Sequence, residues 1–398
     1  MKNKISVIGQ GYVGLPLAIE AAKNGFDVCG IDINNSIVDR LNLGKSHIED
    51  VADLDLNLVL KSGKYIASNN FHEVHDSEII LICVPTPLKE QRLPDLTAIE
   101  SAVISISNNL SKNSLIIVES TIEPGTTRNF IIPLVLKHSG LLSHEVNFAY
   151  SPERIDPSNK IWNLKNTPKL ISGTDEISIK RAFEFYSEFI KPLHIVESIE
   201  VAETSKLLEN TFRFINISLI NEVSNFCYEL GIDINDVIAA ASTKPYGFMA
   251  FYPSIGIGGH CIPVDPLYLL NKSKEIGALI SMIDLADKVN LAIPSNIVKK
   301  AERKLGDLAG KKVLVIGVSY KPNISDVRET PVKSLVQALK AKGAEVNWHD
   351  DLVGEWEGTS SSDLDDTYDL AIIATPHDYL DLSKIKNTPI INTRGSVA

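Results

Sequence analysis

Lys4-Ile5-Ser6-Val7-Ile8-Gly9-Gln10-Gly11-Tyr12-Val13-Gly14 sets a β-branched run directly against a GxGxxG turn, and a helix-like stretch, Leu15 to Asn24, follows to a stop at Gly25. Val28-Cys29-Gly30-Ile31 then reads as a second strand ending on Asp32. This is the order of a βαβ dinucleotide-binding unit. Gly9, Gly11 and Gly14 allow a tight turn and bring a pyrophosphate to a helix N-terminus, with Tyr12 and Val13 between them. Asp32 would accept hydrogen bonds from the adenosine ribose, and its charge repels a 2′-phosphate, which favours NAD over NADP.

Downstream, Ile79 to Val84 and Leu115 to Val118 read as buried parallel strands. Each runs into a loop at its carboxyl end, where open α/β sheets bind ligands: Pro85-Thr86-Pro87 after the first, Glu119 to Gly125 after the second. Thr86 and Thr121 are candidate contacts on these loops, though either can be a plain turn residue. Asn147 to Tyr150 leads into Ser151-Pro152-Glu153-Arg154, another strand end carrying a carboxylate. Near the other end, Lys312 to Gly317 repeats the opening strand, Val332 to Ala341 the helix, and Gly343 to Asp350 the second strand. This second Rossmann-like half has Ser319-Tyr320-Lys321-Pro322 where the first has glycines, so a different, phosphate-bearing ligand is expected. Gly354 to Asp369 reads as a polar loop.

Between the halves, Val201, Leu208, Phe212, Ile215, Leu219, Val223, Phe226 and Leu230 recur at helical spacing. They predict one helix of about 45 Å at 1.5 Å per residue, a spine between domains and part of a subunit interface. Lys206 and Asn210 stand one turn apart off that stripe. Beyond it, Ser254-Ile255-Gly256-Ile257-Gly258-Gly259-His260-Cys261-Ile262-Pro263-Val264-Asp265-Pro266 places a cysteine just ahead of a helix start, with Asp265 as the expected N-cap and a stop near Gly277. Cys261 reads either as a small buried residue or as a thiol activated by the helix N-terminus.

The fold class is therefore α/β, with two Rossmann-like doubly wound domains joined by a long central helix and a helical middle domain; the expected bounds are 1–198, 199–305 and 306–398. With 398 residues, 44% apolar and 22% charged, two or three domains are expected. A net charge of -11 without a basic block argues against nucleic acid, and no apolar run approaches a membrane span. With no leader-like start, a cytoplasmic protein is expected. The four cysteines, Cys29, Cys83, Cys227 and Cys261, form no CxxC, and His72-Glu73-Val74-His75 lacks metal-site spacing, so neither a disulfide framework nor a metal site is expected.

Taken in order, the dinucleotide motif, the long helix with Lys206 and Asn210, and Gly258-Gly259-His260-Cys261-Ile262-Pro263-Val264-Asp265-Pro266 closely resemble the UDP-sugar 6-dehydrogenases, the UDP-glucose and UDP-N-acetylhexosamine dehydrogenases, over nearly the whole chain. Ser242-Thr243-Lys244-Pro245-Tyr246-Gly247-Phe248, Phe251-Tyr252-Pro253 and the Gly-Gly-His-Cys run are similar to the N-acetylhexosamine branch, closest to UDP-N-acetylglucosamine 6-dehydrogenase. The sequence ends at Ala398, soon after Arg394, where relatives often continue through another short helix.

The resemblance implies a four-electron oxidation of a sugar C6 alcohol to a carboxylate with two NAD in turn, for a surface polysaccharide, by a homodimer joined through the central helix. Cys261 would hold the aldehyde as a thiohemiacetal and then a thioester. Lys206 would stabilise charge on the C6 oxygen, a contact typically worth about 3–4 kcal/mol in the transition state. Asn210 would help to hold that oxygen, Asp265 would orient the lysine or a water, and Thr121 and Glu153 would position water, Glu153 as general base. The family pattern puts NAD on Gly9, Gly11, Tyr12, Val13, Gly14, Asp32, Ile33, Pro85, Thr86, Thr121 and Arg328. It puts the UDP-sugar on Glu153, Lys206, Asn210, Tyr252, Gly258, Cys261, Lys321 and Arg394. The alternatives are UDP-N-acetylmannosamine, UDP-N-acetylgalactosamine or UDP-glucose as substrate, a non-catalytic nucleotide-sugar-binding regulator, and a two-electron 2-hydroxy acid dehydrogenase. A regulator has no need of a thiol and a base in one site, and a 2-hydroxy acid dehydrogenase would need neither the cysteine nor the second nucleotide-like domain.

Overall fold

The computed structural model describes residues 4–155, 159 and 161–395. Its internal contacts divide the chain into two units, the first ending at Leu208 and the second beginning at Glu209.

In the first unit an eight-stranded sheet has the order β3-β2-β1-β4-β5-β6-β7-β8, with β1 Lys4–Ile8, β2 Asp27–Ile31, β3 Tyr65–Ser68, β4 Ile79–Ile82, β5 Leu115–Val118, β6 Asn147–Tyr150, β7 Lys169–Gly173 and β8 Leu193–Ile195. All pairings are parallel except β6 with β7. Six helices connect the strands: α1 Gly14–Lys23, α2 Asn35–Asn42, α3 Asp53–Lys61, α4 Thr97–Ser107, α5 Ile132–Ser139 and α6 Glu176–Ser187. The unbroken apolar runs of β4 and β5 follow from burial on both faces. Leu81 and Ile117 enter one core cluster with α1 and α6, and Ile80, Ile82, Ile116 and Val118 enter another with α4 and α5. Burying each such side chain contributes about 1.5–3 kcal/mol. The strand order reverses at β1: β1 and β4 stay paired to their carboxyl ends, and the chain connections that leave them part there, which is where the Gly9 turn stands.

One helix, α7 Ile199–Leu230, carries the chain from the first unit into the second. α8 Ile234–Ser242, α9 Asp265–Glu275 and α10 Ser281–Leu305 follow. A four-stranded parallel sheet then has the order β10-β9-β13-β14, formed by β9 Lys312–Ile316, β10 Glu345–His349, β13 Leu370–Ile373 and β14 Ile390–Asn392, with α11 Val332–Ala341 between β9 and β10. Alternate residues of β9 again enter opposite clusters, Val313 and Val315 on one side and Leu314 and Ile316 on the other. The chain is thus α/β, with two Rossmann-like halves and a helical middle.

The α7 stripe expected at a subunit interface faces outward: Val201, Leu208, Phe212, Leu219, Phe226 and Leu230 are exposed, whereas Ala202, Leu207, Phe214 and Cys227 are buried. Two expectations need correction. Gly354 to Asp369 is not simply a loop, because β11 Glu355–Trp356 and β12 Thr359–Ser360 form a hairpin whose Trp356 ring meets Trp348 edge-on at 5.8 Å. Asp265 is not an N-cap. Val264 takes that place, Asp265 is the first helical residue, and its side chain is engaged elsewhere. No described helix is long and apolar enough to cross a membrane, and the described residues contain no metal-holding group of His, Cys, Asp and Glu. Residues 396–398 lie outside the described residues.

Candidate active site

The first unit builds a dinucleotide cradle from the GxGxxG turn. Gly9 has φ +90°, and a Cβ there would lie 2.6 Å from the Cys83 carbonyl oxygen. A Cβ on Gly14 would strike the Gly9 carbonyl, so α1 starts hard against the turn. Gly11 is different, since a Cβ there would meet nothing within 4 Å. That open side lies beside the uncapped start of α1, and a pyrophosphate fits both features. The Gln10 N–H donates to Asp32 Oδ2 at 2.9 Å and the Asn34 N–H to Oδ1 at 2.9 Å, so the carboxylate is fixed by backbone while each oxygen keeps a lone pair for a ribose hydroxyl. Tyr12 and Ile33 are exposed around this turn.

Sequence reasoning missed three residues here. Gln10 is fully buried, donates to Val7 O at 2.8 Å and accepts from the Tyr65 hydroxyl at 2.9 Å, plugging the space beside Gly30. His47 also stands by the pocket; burial and then the Arg40 guanidinium lower its pKa, against the pull of Asp32. Gln10 fills a variable position of the GxGxxG turn, and Tyr65 and His47 lie outside any motif.

The three strand-end loops are tied together beneath their candidate residues. Ser120 Oγ donates to Val84 O at 2.7 Å, joining the Thr121 loop to the Pro85-Thr86 loop. Lys169 and Glu119, 5% and 1% exposed, pair at 2.6 Å, and Tyr186 donates to the same carboxylate. Lys169 also reaches Pro152 O at 3.3 Å, so this buried trio underlies both Thr121 and Glu153. A lysine heading an apolar strand gives no sequence signal for such a role. Glu153 Oε1 accepts the N–H groups of Arg154 and Ile155, each at 2.5 Å. Its buried Oε2 has no hydrogen-bond partner among the described residues, which suits an oxygen kept for water or ligand. On α7, Lys206 is 8% exposed. One turn earlier the fully buried Glu203 accepts from the Gly125 N–H at 2.6 Å and the Thr127 N–H at 3.0 Å, joining the helix to the Thr121 loop.

The second unit holds the cysteine loop. Asn221 Oδ1 accepts the Ser254 N–H at 2.9 Å and Asn290 Oδ1 the Ile257 N–H at 2.8 Å, so α7 and α10 strap the loop from both sides. Gly258 and Gly259 permit a close approach to protein: a Cβ on Gly258 would lie 2.8 Å from Glu329 O, and one on Gly259, at φ +83°, 2.9 Å from the Tyr320 ring. The loop that carries Lys321 and Arg328 thus lies against the cysteine loop. Arg328 pairs with Asp326, whose backbone O accepts the Tyr320 N–H at 3.1 Å.

Cys261 O accepts the Asp265 N–H at 2.9 Å, which sets the thiol one turn ahead of α9. It is the exposed cysteine; Cys29, Cys83 and Cys227 are buried, and burial pushes the Cys29 thiol up to about 12 and the Cys83 thiol well above the usual range. Asp265 Oδ2 accepts from Asn210 Nδ2 at 2.6 Å. The structure therefore brings Cys261, Asp265 and Asn210 together, and separately links the loops of Thr86, Thr121 and Glu153. Tyr252 is 55% exposed, and Arg394 is an exposed side chain whose backbone O accepts from Asn235 at 3.1 Å. Neither is drawn into these clusters by a bond described above.

Sequence comparison matches residues 3–190 to the NAD binding domain, 200–292 to the central domain and 314–397 to the UDP binding domain of the UDP-glucose/GDP-mannose dehydrogenase family. A UDP-N-acetyl-D-glucosamine 6-dehydrogenase of Pseudomonas aeruginosa is 36% identical over 94% of this chain and 87% of its own length. A UDP-N-acetyl-D-mannosamine dehydrogenase of Pyrococcus horikoshii is 33% identical over 94% and 89%. Among solved structures, UDP-D-ManNAc dehydrogenase from Pyrococcus horikoshii superposes with a TM-score of 0.90 at 31% identity, covering 98% of this chain and 95% of that one.

Proposed function

The chain belongs to the UDP-glucose/GDP-mannose dehydrogenase family, NAD-dependent oxidoreductases of UDP-sugars, and on that premise we propose that it oxidises UDP-N-acetyl-D-glucosamine at C6 to the uronate. The observation that carries the chemistry is the exposed Cys261 thiol one turn ahead of α9, beside the Asn210–Asp265 pair. His260, Ile262 and Val264 around it, and the relative from Pseudomonas aeruginosa, support the choice of sugar.

NAD would supply the hydride acceptor for both oxidations, and Gly9, Gly11, Gly14 and Asp32 would hold it, with Tyr12, Val13, Ile33, Pro85, Thr86, Thr121 and Arg328 as further contacts. Cys261 adds to the C6 aldehyde, so that its sulfur bonds carbon and the carbonyl oxygen becomes the hydroxyl of a thiohemiacetal. Loss of the C6 hydride and the hydroxyl proton leaves a thioester, which water cleaves to carboxylate and free thiol. Lys206 and Asn210 stabilise the C6 oxygen when it is anionic, and Asp265 holds the Asn210 amide in place. Glu153 takes the proton of the attacking water, which Thr121 positions. Tyr252, Gly258, Lys321 and Arg394 hold the UDP-sugar. We divide the chain into 1–198 for NAD, 199–305 for the cysteine loop and subunit contact, and 306–398 for UDP.

The exposed apolar stripe of α7 is the surface on which a homodimer would form. A catalytic cysteine outside any disulfide suits the reducing cytoplasm, and the uronate suits a surface polysaccharide. UDP-N-acetylmannosamine is the second reading, favoured by the relatives from Pyrococcus horikoshii. A panel of UDP-sugars decides between them: kcat/KM for UDP-N-acetylglucosamine at least about tenfold above the others, a difference of about 1.4 kcal/mol, supports the first. The reverse order replaces it.

A further inference from the structure

The second unit repeats the nucleotide-binding turn of the first bond for bond. In the first, the Gly9 N–H donates to Ile31 O at 2.7 Å and the Gln10 N–H to Asp32 Oδ2 at 2.9 Å. In the second, the Gly317 N–H donates to His349 O at 2.8 Å and the Val318 N–H to Asp350 Oδ2 at 2.8 Å. Gly9 and Gly317 both have positive φ, +90° and +81°, and a Cβ on either would strike a neighbouring strand-end carbonyl, that of Cys83 or Thr375. Asp350 is therefore the structural counterpart of Asp32.

What meets the two carboxylates differs. Asp32 is half-buried, whereas Asp350 is 3% exposed and covered by His377, 6% exposed, whose Nε2 lies 3.1 Å from Oδ2. His377 Nδ1 accepts the Asn323 N–H at 2.9 Å, so Nε2 carries the ring proton and donates to Asp350. Asn323, in the left-handed region at φ +65°, is held further by Asp378: Nδ2 donates to Asp378 Oδ2 at 2.7 Å, and the Asp378 N–H returns to Asn323 Oδ1 at 3.0 Å. At the other end of the loop, Ser319 Oγ donates to Lys321 O at 3.0 Å and Thr375 Oγ1 to Ser319 O at 2.7 Å. Between these anchors stands Lys321.

We propose that His377 is a positioning residue for the UDP-sugar. Its imidazole takes the place that a ribose would take on Asp32, closes the second unit to a dinucleotide bound in that manner, and holds the Ser319–Asn323 loop so that Lys321 is presented to the diphosphate. The last step rests on reading Lys321 as a UDP contact. A flexible lysine on an unheld loop would have to be ordered by the ligand at the cost of affinity, whereas this loop is ordered beforehand.

The test is calorimetric titration of the full chain with UDP, and separately with NAD, alongside amide hydrogen exchange over residues 318–325. His377→Ala is expected to weaken UDP binding at least about tenfold, leave NAD binding within about twofold, and speed exchange in the loop. In His377→Asn, Oδ1 can accept the Asn323 N–H, and most of the UDP affinity should return; His377→Gln reaches only Asp350 and should resemble the alanine variant. UDP affinity unchanged in His377→Ala, or equal loss in the alanine and asparagine variants, overturns the proposal. Unchanged UDP affinity in Lys321→Ala overturns the reading of Lys321 alone, and the exchange rates then still decide whether His377 holds the loop.

Discussion

Asn210 Nδ2 donates to Asp265 Oδ2 across 2.6 Å, joining the middle of α7 to the first residue of α9. The carboxylate is 4% exposed, so this bond forms where water competes little. It fixes the rotation of the Asn210 amide and directs its second N–H and its carbonyl elsewhere. The arrangement gives Asp265 a task other than capping.

Asp265→Asn retains size and the helix start but removes the charge that orients Asn210. We expect kcat to fall about 10²- to 10³-fold with KM for the UDP-sugar within about threefold, the pattern of a contact that matters in the transition state. Steady-state kinetics with a melting curve check this; a kcat within about fivefold of wild type refutes the role.

Glu203 gives a dependence on pH. Burial pushes its pKa up to about 7 from an ordinary 4.5, outweighing two backbone N–H bonds that favour the carboxylate. Because the folded-state value is raised, its contribution to stability is fully present below about pH 4.5 and is lost as the pH rises through about 7. The change amounts to about 3 kcal/mol. Denaturant unfolding between pH 5 and 8 should show this decline in the wild type and not in Glu203→Gln; equal slopes in the two proteins contradict it.

Gly259 has φ +83°, and a Cβ there would lie 2.9 Å from the Tyr320 ring. Gly259→Ala should cost about 1–2 kcal/mol of stability from backbone strain. It should also lower turnover more than NAD affinity, because Cys261 follows two residues on. A variant as stable and active as wild type removes this account of the loop.

The local pattern made the architecture legible. β-branched runs ending in glycine turns, and one apolar period sustained for 32 residues of α7, survive any tertiary context. Cys261, Asn210 and Asp265 were found by motif and spacing, and the structure brings them together. What escaped was set by long-range packing. Lys169 meets Glu119 fifty positions away, and nothing near either residue announces it. Asp265 was misjudged because an aspartate before proline has the composition of a cap, while its side chain found a partner 55 residues earlier.

The central claim is that Cys261 carries the sugar through two oxidations. The most direct measurement counts NADH formed per UDP-sugar consumed by wild type and by Cys261→Ser, with NAD binding measured in both. The account predicts two NADH and one carboxylate per sugar in the wild type, and no carboxylate from a Cys261→Ser protein that still binds NAD. One NADH per sugar in the wild type, or full carboxylate formation by Cys261→Ser, would contradict it.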